Sequence, residues 1–181
     1  MKISKLFTMW ATATIVCSLL LSVPAVAQQN TKLSDAEIAS IAVVANQVDI
    51  DAAKLAQDKS KNTEVQNFAK TMISDHQSVI DKATALVQKL GVTPKDNTLS
   101  QQLSSNGTKN RQLLQAKSGK DFDKAYINNE VAYHEAVIST LDGRLIPEAQ
   151  NSELKDLLQS VLPVLKTHLE HAKMVQKDAG K

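Results

Sequence analysis

Apolar residues recur every three or four positions along four long segments of this 181-residue chain, and no segment alternates as a strand would. This spacing places the apolar residues on one face of an α-helix. A helix with one apolar face gains stability by packing that face against other helices. The pattern therefore predicts an all-α fold, a helical bundle built from four long helices.

The four predicted helices cover about residues 34–61, 63–90, 121–145 and 151 onward. The first begins with the capping box Ser34-Asp35-Ala36-Glu37, in which each end residue can bond the backbone of the other. Gly91 and Pro94 end the second helix in the usual order. These start and stop signals agree with the apolar spacing.

Residues 92–120 differ from the rest because Ser, Asn, Gln, Lys and Gly dominate them. This composition predicts a connection with short or frayed helices rather than a core element. Two tightly joined helices, a long crossover and two more helices form the ferritin-like pattern of four-helix bundle. The crossover between the second and third long helices would run the length of the bundle and leave those two helices parallel.

The first 27 residues have the features of a signal peptide. Lys2 and Lys5 precede an apolar run, and Ala25-Val26-Ala27 supplies the small residues that signal peptidase accepts. We therefore expect cleavage after Ala27, a single domain over residues 28–181 and a periplasmic location. The alternative is an uncleaved membrane anchor, which the Thr and Ser content of the run disfavours.

Without the predicted signal peptide, the chain carries 19 basic and 19 acidic residues and contains no Cys. This balance argues against a nucleic-acid partner, and the absence of Cys excludes disulfides and thiolate ligands. No stable membrane insertion is expected after cleavage. A homo-oligomer and a protein partner both remain open.

Polar side chains interrupt the apolar face near the middle of each long helix. They are Asp49, His76, His134 and His168, and Glu130 lies one turn before His134. Buried polar groups are costly unless they have partners, so a shared partner at one level of the bundle is expected. A single transition-metal ion would fit, and imidazole with carboxylate suits iron, copper, zinc, nickel or manganese.

The alternative is a buried polar network without metal, in which Tyr126, Tyr133 or Asn129 bonds the histidines. Such a protein would have a structural or stress-related role in the cell envelope. An enzyme is the least favoured class, because the chain has no nucleophile elbow, no Gly-rich phosphate loop and no zincin motif. A metal-binding chain would then act as a buffer or carrier.

Several blocks of sequence resemble one exported bacterial family. They are Phe68-Ala69-Lys70-x-Met72-x-x-Asp75-His76, Phe122-Asp123-x-Ala125-Tyr126, His134-x-x-Val137 and Leu162-Pro163-x-Leu165-x-x-His168-Leu169-x-x-Ala172. The family is catalogued as domain of unknown function 4142, and its members are often labelled predicted outer membrane proteins. The resemblance covers about 34–177 and implies export and a ferritin-like bundle. It implies no reaction.

The chain lacks the ligand pattern of di-iron ferritins. Those proteins place a Glu three residues before a ligating His on two helices. Here the corresponding residues are Ile73, Val131 and Leu165. We therefore expect one metal ion or none. In either case Asp49 should lie within direct or one-water reach of a core histidine, with the three imidazoles facing a common point.

Overall fold

A computed structural model describes residues 32–179, and every regular element in this range is helical. The helices are α1 Asp35–Lys59, α2 Thr63–Lys89, α3 Thr98–Gln115, α4 Gly119–Thr140, α5 Ile146–Glu148 and α6 Ser152–Ala179. A π-helical turn, Leu141–Leu145, joins α4 to α5. The all-α bundle predicted from the sequence is confirmed. The predicted signal peptide, 1–27, lies outside the described residues.

Local capping explains where the long helices begin and end. The predicted capping box is present at Ser34 and Glu37, and the side chain of Asn62 accepts from two backbone amides at the start of α2. Gly91 follows α2 with a positive φ of 63°, a conformation that glycine adopts without strain. No helix within 32–179 combines the length and the apolar character needed to cross a membrane.

Side-chain contacts establish the direction of each helix. In α2 and α4, Phe68 faces Tyr126 and His76 faces His134, with ring centroids 6.2 and 5.7 Å apart. The second pair lies eight residues after the first on both helices, so α2 and α4 run parallel. The long crossover predicted this arrangement. The contacts of α2 with α1 and with α6 run in opposite order, so those neighbours are antiparallel to it.

The crossover is a structured helix, so the prediction of short or frayed helices across 92–120 was wrong. The 18-residue helix α3 begins at an Asn97 capping box and packs along α1 in the same direction. Arg111 of α3 forms an ion pair with Asp51 of α1 at 3.1 Å. A Cβ added to Gly107 would lie 2.7 Å from Val48, so this glycine permits the close approach of the two helices. A small residue and polar bonds therefore join the two helices.

The apolar core is divided into two clusters. One contains Ala52, Ala53, Ala56, Val65, Phe68, Ala69, Met72, Leu114, Phe122, Tyr126, Ile127, Ala172 and Val175. The other contains Leu33, Ile38, Ile41, Leu141, Leu145, Ala149, Leu154, Leu158 and Leu165. Along α1, α4 and α6, residues of one cluster precede the polar positions 49, 134 and 168, and residues of the other follow them. The polar layer therefore lies between two apolar cores.

Candidate metal centre

Three imidazoles from three helices meet in the polar layer. His76 of α2, His134 of α4 and His168 of α6 are all buried. Their ring centroids are 5.3 to 5.7 Å apart in every pairing, so the rings form a nearly equilateral triangle. The structure thus brings together the three histidines selected from the sequence.

The His76 ring is fixed by Asn46 of α1. Its Nδ1 lies 2.7 Å from the Oδ1 atom of Asn46, and the Nδ2 atom of the same amide donates to the Ala42 carbonyl at 2.7 Å. The second bond fixes the orientation of the amide, so only an acceptor faces the imidazole. Nδ1 of His76 therefore carries the proton, and Nε2 has a free lone pair.

The other two rings are fixed in the same manner. Nδ1 of His134 donates to the backbone carbonyl of Glu130 at 2.9 Å. Nε2 of His168 donates to a carboxylate oxygen of Asp75 at 3.0 Å. Both partners are acceptors, so the free lone pairs belong to Nε2 of His134 and Nδ1 of His168.

The three imidazoles bring ring nitrogens close to one another. Each of the three histidines offers a nitrogen within 4.8 Å of the nitrogens offered by the other two. Nε2 of His76, Nε2 of His134 and Nδ1 of His168 are buried and have no hydrogen-bond partner within residues 32–179. Three convergent acceptors without a donor are what a cation requires of its ligands.

Asp49 adds a carboxylate to this group. Its Oδ2 lies 3.4 Å from Nε2 of His76 and 3.8 Å from Nε2 of His134. The side chain has no exposed surface, and neither of its oxygens has a donor among the described residues. The expectation that Asp49 lies within reach of the histidines agrees with these distances. The carboxylate therefore lies beside two of the three imidazoles.

Glu130, the last residue of the predicted set, lies next to Asp49 and His134. It is fully buried, and Asp49, Glu130 and His134 form a second group whose ligand atoms lie within 4.8 Å. One carboxylate oxygen contacts the Asn129 amide at 3.4 Å, while the other has no partner in the described part of the chain. Burial raises the pKa of Asp49, and burial together with the Asp49 charge raises the pKa of Glu130.

Burial also keeps the imidazoles uncharged. It lowers the pKa of His76 to about 3 and that of His134 to about 4, and it lowers the pKa of His168. The neighbouring imidazoles lower the pKa of His76 further. At neutral pH all three rings are therefore neutral, which is the form that binds metal ions.

The sequence identified the five residues that meet in the polar layer, but not most of the hydrogen-bond partners that orient the histidines. None of the suggested partners Tyr126, Tyr133 and Asn129 bonds a histidine; the phenol of Tyr133 donates to the Ala45 carbonyl instead, at 2.7 Å. The overlooked residue is Asn46, one turn before Asp49 on the same face of α1. The i, i+3 spacing of Asn46 and Asp49 is the sequence pattern that could have identified Asn46 as part of the site.

The fold and the site together define a class: an all-α bundle with a buried cluster of histidines and carboxylates. The family model described as "Domain of unknown function (DUF4142)" matches residues 21–175, so the chain belongs to this family. The family suggested by the sequence blocks is thereby confirmed.

A solved structure described as "CopM in the Cu(II)-bound form" is similar in fold. The two chains are 16% identical, with a TM-score of 0.62, and the alignment covers 81% of this chain and 98% of that one. No curated protein matches this chain in sequence. At this level of identity the likeness concerns the fold alone.

Proposed function

We propose that this protein is an exported, periplasmic metal-binding bundle that holds one divalent transition-metal ion. The ligands are His76, His134, His168 and Asp49. The proposal rests on three buried imidazoles whose nitrogens lie within 4.8 Å of one another, with the Asp49 carboxylate next to two of them. The remaining acceptor atoms of these four side chains have no hydrogen-bond partner among the described residues. Hydrogen bonds to three acceptors assign the ring tautomers, so each imidazole keeps one nitrogen with a free lone pair.

The separations of Asp49 from His76 and His134 suit an ion shared by these three side chains. Two ligands at 2.0–2.1 Å from a metal can be at most about 4 Å apart. Asp49 lies 3.4 Å from His76 and 3.8 Å from His134, inside that limit. The carboxylate of Asp49 would also offset part of the charge of a divalent ion, and Glu130 beside it would offset more.

Copper(II) is the ion we favour, with zinc as the competitor. Nitrogen and oxygen donors without thiolate suit both, and copper(II) binds such sites most tightly in the divalent series. The Cu(II)-bound state named for the similar CopM structure is in line with this choice. The role that we propose for this site is that of a metal buffer or carrier.

Thermal unfolding with and without metal tests the proposal against a packing-only network. A ligand that binds the folded state at hundredfold excess over its Kd adds about 2.7 kcal/mol of stability. We expect Cu(II) to raise the Tm of the tag-free protein and a chelator to reverse the increase. If Tm is the same under both conditions, the layer is a polar network, in which a proton on Asp49 or Glu130 bridges some of the acceptors.

Export has its own test. The protein recovered from the periplasm should begin at Gln28 when analysed by mass spectrometry, because cleavage is expected after Ala27. Retention of Met1 in a membrane fraction would contradict the periplasmic assignment without affecting the metal site.

A further inference from the structure

An elongated cavity of about 360 Å³ lies inside the bundle next to the candidate metal centre. Residues of α1, α2, α3, α4 and α6 line it, and along α1 the lining extends from Ala39 to Ala52. At 1.5 Å per residue this distance is about 20 Å. Protein interiors leave few voids larger than a water molecule, whereas this volume falls in the range of small-molecule pockets. The cavity therefore has the dimensions of a binding site.

The wall of the cavity is apolar over most of its length. Val79, Ala83 and Val87 of α2 line it together with leucines of α3 and α6. Among the described residues that line the cavity, the ionisable side chains apart from one tyrosine are Asp49, His76, Glu130 and His134, all at the metal centre. No lysine or arginine belongs to the lining. An anionic ligand would therefore meet carboxylates without an offsetting cation from the protein.

Most of the uncharged polar residues that line the cavity belong to α3 and α4. They are Asn106 and Asn110 of α3 and Asn129, Tyr133 and Thr140 of α4. Asn106 is exposed, and α3 packs mainly on α1, so the gap between α3 and α4 connects the cavity to solvent. Neutral amides and a phenol suit a neutral polar group. The cavity thus combines a neutral polar mouth with an apolar interior.

We propose that the cavity binds an uncharged aliphatic molecule with one polar end, of the class of a long-chain alcohol. The alkyl chain of this ligand lies along the apolar wall, and its polar end lies at the asparagine-lined mouth. The lining is complete without a bound ion, so binding does not depend on the metal. This ligand site is therefore separate from the proposed metal function, although the two share a wall.

Fluorescence of the neutral probe N-phenyl-1-naphthylamine tests the proposal on the protein in excess chelator. We expect saturable binding of one probe per chain, and we expect 1-dodecanol to displace the probe at about tenfold lower concentration than dodecanoate. Absence of saturable binding would overturn the proposal. Equally effective displacement by dodecanoate would overturn it too, because the lining would then not discriminate against an anion.

Two variants locate the probe. Ala136→Phe adds an aromatic ring at an exposed position of the mouth, and Ala42→Phe fills the interior. We expect both to weaken probe binding about tenfold or more. The matched control is Ala132→Phe, one turn before Ala136 on α4 but outside the lining. Because Ala136 is exposed, Ala136→Phe keeps the test valid if Ala42→Phe does not fold. Equal binding by Ala136→Phe and Ala132→Phe would overturn the proposal.

Discussion

Asn46 of α1 fixes the imidazole of His76 on α2 through a 2.7 Å hydrogen bond to Nδ1. The amide nitrogen of Asn46 is itself held by the Ala42 carbonyl at 2.7 Å, so the residue cannot offer a donor to the ring. The tautomer of His76, and hence its inward lone pair, is determined by a residue that is not a proposed ligand.

The first prediction concerns this supporting bond. Asn46→Ala should lower the affinity for Cu(II) by about 10–100-fold, because a ligand free to rotate or to change tautomer binds more weakly. Competition against a chelator of known affinity measures the change. Gln47→Ala, at the exposed neighbouring position, is the matched control and should retain the wild-type affinity. Equal affinities for the two variants would show that Asn46 does not support a ligand.

Asp49→Asn should have opposite effects on metal binding and on stability. Loss of the carboxylate should weaken Cu(II) binding by more than about 100-fold, beyond the loss expected from a residue that only supports a ligand. In chelator the free energy of unfolding should rise by about 1–2 kcal/mol, because the new amide can donate to an imidazole that lacked a donor. Chemical denaturation and metal titration measure the two effects. A variant that is less stable in chelator yet binds Cu(II) normally would remove Asp49 from the site.

The packing of α3 on α1 is tested at Gly107. Alanine in a helix interior is normally about 0.5–1 kcal/mol more favourable than glycine. At position 107, however, the added Cβ would lie 2.7 Å from Val48, and overpacking of this kind costs about 1–3 kcal/mol. Gly107→Ala should therefore lower the Tm. The control is Gly143→Ala, where nothing lies within 4 Å of the added Cβ, and its Tm should not fall. A Tm increase in Gly107→Ala would show that the two helices are not in close contact.

Acid should destabilise the metal-free protein through His76. Burial lowers the pKa of His76 from 6.5 to about 3, so between these pH values the unfolded chain binds a proton there that the folded chain does not. As the pH falls below about 6.5, the free energy of unfolding of the wild type should therefore decrease by about 1.4 kcal/mol per pH unit relative to that of His76→Asn. Denaturant unfolding in chelator at several pH values measures this difference. Ser78→Ala, an exposed substitution on α2, should show a constant difference from wild type. A constant difference for His76→Asn as well would contradict its burial as a neutral imidazole.

Much of the fold could be read from the sequence because α1, α2, α4 and α6 each carry a long apolar face. The helix α3 could not, because Gly107 occupies the middle of its contact face and Leu114 is its one fully buried apolar residue. Leu99, Leu103 and Gly107 are spaced four residues apart, so the helical period was present. The pattern is difficult to recognise in the sequence because Gly107, one of its three residues, has no side chain.

The candidate site divides in a similar way. Asp49, His76, His134 and His168 are polar residues on apolar faces, and periodicity alone locates them. Their supporting bonds depend on side-chain directions and on a backbone carbonyl at Glu130, which no residue pattern encodes. The cavity beside them could not be predicted from the sequence either, since it depends on how closely α1, α3 and α4 approach one another.

Metal stoichiometry in tag-free protein tests the central claim most directly. After equilibration with Cu(II) and gel filtration, wild type should retain one equivalent by mass spectrometry of the metal. His76→Ala, His134→Ala and His168→Ala should each lose it, because each removes one of the convergent nitrogens. His171→Ala should retain it, because the His171 ring packs against Phe68 and is not one of the proposed ligands. A wild-type protein without metal, or equal metal in all four variants, would contradict the account.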